Sequence, residues 1–475
     1  MQLLHGRPVV SANFDDPNLV ASAGLVPVMK LAADAGLRRL ADERLTVPTD
    51  KGANAGLKVA SLVGGMIAGA DSIDDLAVLR HGGMDRVFEA CYAPSTLGSF
   101  LRQFTFGHVR QLDAVASRVL GNLAASTPLL DGVGGDVLVD VDDTIIEVHG
   151  HAKQGAGFGY SGIRGLNALL GTLTVAGQAP VIVAQRLRKG STGSPRGAAR
   201  LVADTLAAVA RLRQASVAGS LSGAVAGRVL LRADSAFYCS AVVTTAVAAG
   251  AQMSVTVRLD KRVKAAIAAF GEDAWSTIQY TDAVFDEQTK RWISAAEVAE
   301  SPYIAFASKK KSEQVTGRLV VRRIPDLDPK AAPGQANLFQ TWRFHAFFTT
   351  TPPETADTVS ADKTHRHHAI IENVNADLKS SALAHMPSGS FSANGAWLVC
   401  AVMAFNLTRA SATIAGGNLT RAATPTIRRT LINIPARVAC SARRLRLHLP
   451  QRWPWQDAWT ELFTQTCGPP ATTTT

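Results

Sequence analysis

Residues 137–150 read VLVDVDDTIIEVHG. The apolar members, Val137, Leu138, Val139, Val141, Ile145 and Ile146, are those of a buried β-strand. The same run carries Asp140, Asp142, Asp143 and Glu147. Ionised carboxylates are expensive to bury unless positive groups pair with them. A strand that is both this apolar and this acidic therefore implies a site.

Reading outward from it, a Gly-rich loop (Gly155, Gly157, Gly159, Gly162, Gly165) leads to the apolar runs Leu166–Val175 and Pro180–Leu187. These are separated by Ala176-Gly177-Gln178, which predicts a β-hairpin. Ser194-Pro195 reads as a helix N-cap followed by Pro at the first position, with the helix running to about Arg213. A fourth strand is expected at Arg228–Ala233, a helix at about Tyr238–Ala249 and a fifth strand at Met253–Arg258. The order β-β-β-α-β-α-β predicts an α/β fold, a mixed sheet with flanking crossover helices.

With 475 residues the chain is too long for one ordinary core. Residues 1–130 read as a helical N-terminal domain, expected to bind DNA, with helical spacing over Leu19–Ala41, Ala60–Ala68 and Val109–Leu123. Residues 131–259 form the first part of the α/β domain. Residues 260–360 read as a β-rich insertion, because so long a structureless stretch is improbable. Its strand-like runs are Tyr303–Ala307, Arg318–Ile324 and Arg343–Thr350, with the polar loop PDLDPKAAPGQAN between the last two. Residues 361–415 return to the α/β domain. Residues 416–475 form a basic tail with Trp453, Trp455 and Trp459, ending in TTTT.

The net charge is +11 and hydrophobic residues make up 47% of the chain, so this is a folded protein suited to a polyanionic partner, nucleic acid first. Five scattered cysteines with no CxxC argue against a zinc ribbon or a disulfide framework, and for a reducing compartment. The first residues lack a signal-peptide pattern. Ala396–Phe405 (AWLVCAVMAF) is too short to span a bilayer and reads as a buried helix.

Alternation puts Asp140 and Asp142 on one face of the acidic strand and Asp143 on the other. In VLLRADS, Arg232 and Asp234 share a face. If these strands are neighbours, Asp142 and Asp234 converge as hard oxygen ligands from separate rigid elements. A third acid is expected on the helix HRHHAIIENVNADLK, residues 365–379, where one stripe reads His365, His368, Glu372 and Lys379. Three acids on three elements suit a divalent cation.

These residues resemble bacterial insertion-sequence transposases of the DDE type, the group with an RNase H-like domain and a β-rich insertion before the last acid. Asp142 matches the first acid of a D-x-T element (Asp142-Asp143-Thr144), with Asp140 as fallback. Asp234 in RADSAFY is similar to the second. Glu372 and Lys379 match the end of the helical signature Y-x2-R-x3-E-x6-K. His365 and His368 stand where that signature has Tyr and Arg. The resemblance covers residues 135–410, including the stretches 149–170 and 194–206.

The resemblance implies Mg²⁺-dependent phosphodiester chemistry, with Mn²⁺ substituting, ligated by Asp142, Asp234 and Glu372. Lys379, Arg366, His368 and His365 would contact DNA. It also implies cut-and-paste transposition, with double-stranded terminal inverted repeats and target DNA as partners. A homodimer on DNA and a cytoplasmic, nucleoid-associated location in a bacterium, without a membrane, complete the expectation. Lys309, Lys310, Lys311, Arg322 and Arg323 are further candidates for backbone contacts. The rival readings are an RNase H-like nuclease or resolvase without strand transfer, a non-catalytic DNA-binding protein, and a zinc hydrolase using His149, His151 and the histidines at 365–368. GSTGSPRG lacks the GK[ST] ending of a phosphate-binding loop.

Overall fold

The structure, a computed structural model, describes residues 12–218, 227–286, 291–325, 342–441 and 444–468. The loop after residue 325, the Arg443 of the basic tail and the terminal TTTT lie outside the described residues.

The acidic run forms β1 (Val137–Glu147). It pairs antiparallel with β2 (Arg164–Val175), which pairs antiparallel with β3 (Val181–Lys189). Gly177, at φ 82°, makes the expected hairpin turn between them. On its other side β1 runs parallel to β4 (Val229–Ala233), and β4 runs parallel to β5 (Gln252–Val257). The order β3-β2-β1-β4-β5 is the α/β core that the sequence predicts. β2 is covered on both faces, which suits its nearly unbroken apolar run. At Gly171 the crossover helix lies so close that an added Cβ would sit 2.2 Å from Thr205 Oγ1.

The region after β5 is β-rich, as expected, but its strands extend the same sheet. β6 (Ser276–Asp286), β7 (Arg291–Ala305), β8 (Val315–Pro325) and β9 (Trp342–Thr349) continue it in the order β5-β9-β8-β7-β6. β9 docks antiparallel on β5, so an edge that would stand open is paired.

The N-terminal segment is helical: α1 (Leu25–Asp34), α2 (Leu37–Arg44), α3 (Ala55–Ala68), α4 (Pro94–Arg102) and α5 (Phe106–Ser126). Leu19–Ala41 is not one helix. Leu19–Val20 is a two-residue strand, and Gly36, at φ 79°, separates α1 from α2. The crossover helix α6 begins at Ala198, not at Pro195, because Ser194–Gly197 form a turn with Gly197 at φ 78°; it continues to Ala218. α7 (Ser240–Ala248) follows β4.

The long helix near the C-terminus is α11 (Phe391–Ala415), reached after α8 (Lys261–Ala268), α9 (Thr358–Arg366) and α10 (Ile370–Lys379). It has 25 residues, more than the ten apolar ones suggested, so length and composition would let it cross a membrane. Yet 83% of its apolar window is buried inside the protein. The N-terminal helices pack on it, and Asn406 clips β3 by bonding both N and O of Ile182. A continuous core runs from Val20 to Leu462. Trp459 stacks on Phe463 in α12 (Gln456–Cys467), and Trp453 donates to Thr430 O, so these tryptophans serve packing.

Candidate active site

The register decides the site. Across the parallel strands Asp140 faces Arg232 and Val141 faces Ala233, so Asp142 and Asp234 come next at the open end of the pair. Parallel neighbours lie roughly 4.8 Å apart. The two carboxylates predicted to converge are thus brought side by side.

The other acids are accounted for. Asp140 is fully buried, and both its oxygens accept from Arg232, Nε and Nη2, at 2.8 Å each. His368 Nδ1 is 2.8 Å from Asp140 Oδ1. Asp143, on the opposite face, accepts from Arg188 Nη2 at 2.7 Å and from Asn167. Glu147 is exposed at the strand end, 3.9 Å from His149. With both oxygens of Asp140 occupied, the open acid on this strand is Asp142.

Asp142 has a different environment. Burial pushes its carboxyl up to about 6, with the charge of Asp234 adding to the rise and that of His368 opposing it. Burial also raises Asp234, against backbone N–H donors and the charge of His368. Asp234 caps a short turn, its Oδ1 accepting from Ala236 N at 3.0 Å.

α10 supplies the third side of the site. Its far face is pinned to α11, where Asp377 pairs with Arg409 and accepts from Thr424 N at 2.8 Å. Its near face carries Glu372, Asn375 and Lys379 at spacings of three and four. Asn375 Nδ2 donates to Asp142 Oδ2 at 2.8 Å. Burial lowers the Lys379 ammonium, while the charge of Asp142 acts the other way. Glu372 is exposed on the same stripe, between His368 and Asn375. Among the described residues no group of three His, Cys, Asp or Glu converges closely enough to hold a metal ion.

The helix over 365–379 is not continuous. A 3-10 turn, His367–Ala369, separates α9 from α10. Such a turn winds about 120° per residue instead of 100°, so residues before it rotate off the stripe. His365 consequently points into the sheet. It stacks on Phe347 with centroids 4.1 Å apart, and its ring nitrogens lie 2.9 Å from Ser254 Oγ and 3.0 Å from Thr256 Oγ1. Burial lowers its imidazole to about 3, so it is neutral and packed, contrary to its expected place at DNA. His368 remains near the acids, but its Nδ1 is committed to Asp140. Arg366 pairs with the buried Asp362 at 2.8 Å.

The insertion also divides. Lys309, Lys310 and Lys311 are exposed. Arg323 is not available to a phosphate: it bonds Glu272 and Glu297 and lies between the rings of Trp275 and Trp342, 4.3 Å from each centroid. Strand alternation turns it inward.

Two functional features escaped the sequence reading. Alternation puts Asp140 on the face of Asp142 and Arg232 on the face of Asp234, but the sequence alone does not join Asp140 to Arg232. Asn375 stands on the stripe already drawn through Glu372 and Lys379, and helical spacing alone could have found it.

The chain matches the family model described as transposase DDE domain group 1 over residues 2–466. No curated protein matches it.

Proposed function

The chain belongs to the transposase DDE domain family, and from that premise we propose that it is an insertion-sequence transposase that cuts at the element's ends and joins them to target DNA by cut-and-paste. The observation that carries this reading is the placing of Asp142 and Asp234 just past the end of the parallel β1–β4 pairing, under a helix face bearing Glu372, Asn375 and Lys379.

The family uses divalent metals, and the residues present fit one. The donors are hard oxygens, two raised carboxyls stand together, and the buried Asn375 Oδ1 beside them has no protein partner. Asp142, Asp234 and Glu372 would hold Mg²⁺, with Mn²⁺ substituting. Glu372 lies on the helical stripe between two residues that touch the β1 acids, His368 and Asn375. Bound there, the cation would lower the pKa of an attacking water or 3′-hydroxyl and offset charge on the phosphate.

The protein's own groups do the rest. Arg232 neutralises Asp140 and fixes β1 against β4, so the Asp142–Asp234 spacing does not drift. Lys379 at the end of α10 is set to meet a phosphate near Asp142. His368, beside Asp140, and Arg366, on the preceding helix, would add further contacts to the DNA. The exposed lysines 309–311 supply non-specific backbone contacts. Partners are the double-stranded terminal repeats and target DNA in the bacterial nucleoid, bridged by a homodimer.

The test is cleavage of a labelled fragment carrying the element's end. Glu372→Ala should abolish Mg²⁺-dependent cleavage while leaving fold and DNA affinity largely intact. Persistent Mg²⁺-dependent cleavage by that variant sinks the assignment of Glu372.

A further inference from the structure

We infer that Asn375 is a positioning residue of this site: its amide N–H holds Asp142 in one rotamer, and its Oδ1 is kept as an uncharged oxygen donor for a divalent cation or that ion's water. This rests on the reading of Asp142 and Asp234 as the cation's ligands.

The amide has two ends, and the structure commits only one. Nδ2 donates to Asp142 Oδ2 at 2.8 Å. Oδ1 is buried and accepts no hydrogen bond. The residue is only 6% exposed, so bulk water does not serve that oxygen freely. Buried acceptors are nearly always satisfied, because one left unmade costs its whole desolvation. The amide cannot relieve this by flipping, since that would aim Oδ1 at a carboxylate oxygen. An acceptor held beside two aspartates, with its orientation enforced by one of them, is what a cation or its coordinated water would complete.

The choice of residue follows from charge. A carboxylate at 375 would put another negative group against Asp142, which already faces Asp234. Leucine would fill the space without an oxygen or a donor. Asparagine alone gives a donor to the acid and a neutral oxygen to the ion. Its place is rigid, because Asp377, two residues on, anchors the opposite face of α10 through Arg409 and Thr424. Groups that orient a metal's ligands behave in this way, and removing one typically costs about 10–100-fold in metal affinity.

The experiment is calorimetric titration of the full chain with Mn²⁺ alone, without DNA. Thermal midpoints in metal-free buffer check that each variant folds. Asp142→Ala should remove Mn²⁺ binding. Asn375→Ala should weaken it by about 10–100-fold. Asn375→Gln, which keeps both the amide donor and a neutral oxygen, should recover most of the affinity lost in Asn375→Ala. Asn375→Leu, of similar volume, carries the same test if the alanine variant does not fold. Wild-type Mn²⁺ affinity in a folded Ala or Leu variant, with binding lost in Asp142→Ala, overturns the role of Asn375 and leaves the cation site standing. Undiminished binding in Asp142→Ala overturns the cation site itself.

Discussion

Two cross-strand pairs lie one alternation apart on β1 and β4, and they are opposites. Asp140 and Arg232 are an acid and a base, both buried, closed on each other by two hydrogen bonds. Asp142 and Asp234 are two acids at the open end, each with its carboxyl raised. The first pair satisfies itself. The second repels itself and remains costly until something positive arrives. The same backbone register makes one pair a clamp and the other a site, and the difference is a single side-chain identity, Arg232 against Asp234.

That contrast can be broken from either side. The largest expected effect is on chemistry: Asp234→Ala should reduce cleavage of an end-bearing DNA by ~10³-fold or more, as loss of an essential catalytic group does. Its circular dichroism should stay that of wild type. Near-normal cleavage would remove Asp234 from the site.

Next comes the closed pair. Arg232→Ala leaves Asp140 buried with only His368 beside it, and breaking a buried pair from one side costs about 3–5 kcal/mol. A urea titration should show that loss. A change below about 1 kcal/mol would mean that water reaches Asp140 and that the clamp is not one.

The open pair should respond with the other sign. The Asp142 carboxyl rises from 3.8 to about 6 on folding. Between these values the folded chain holds more protons than the unfolded one, so this group's contribution to stability falls as pH rises through that window. Above it the ionised carboxylate is a net cost. Asp142→Asn should therefore stabilise the metal-free protein at pH 7.5 by about 1–2 kcal/mol, allowing for partial exposure, with the gain fading toward pH 4. Destabilisation at pH 7.5 would contradict the idea that Asp142 is held at a cost.

The smallest effect belongs to the surface. Lys309→Ala with Lys311→Ala should lower DNA affinity only several-fold and reduce the slope of log affinity against log salt by about 2. An unchanged slope would place the DNA elsewhere.

Periodicity carried much of the architecture. The alternation in residues 137–147, the apolar runs around Gly177 and the acid-ended strand at Asp234 each point to a local shape, and the α/β order follows from their succession. The helix stripe through Glu372 and Lys379 was equally legible, because 3.6-residue spacing is a property of the chain alone. His365 was misread for a local reason: a three-residue change of winding at 367–369 leaves no mark in composition, yet it turns the ring under Phe347.

What the sequence alone determined is which residues share a face and which segments must be buried, since these follow from backbone repeat and the cost of wetting apolar groups. Which acid stays open was decided only in three dimensions. Asp140 and Asp142 are equivalent by alternation, and only the register with β4 sets one against a guanidinium and the other beside a second carboxylate. The fate of the insertion was likewise tertiary, because strands beginning 19 to 85 residues beyond β5 could pair anywhere until β9 closed its edge. Long-range pairing is a property of the folded whole, in which each strand's partner is chosen by every other strand's need for one.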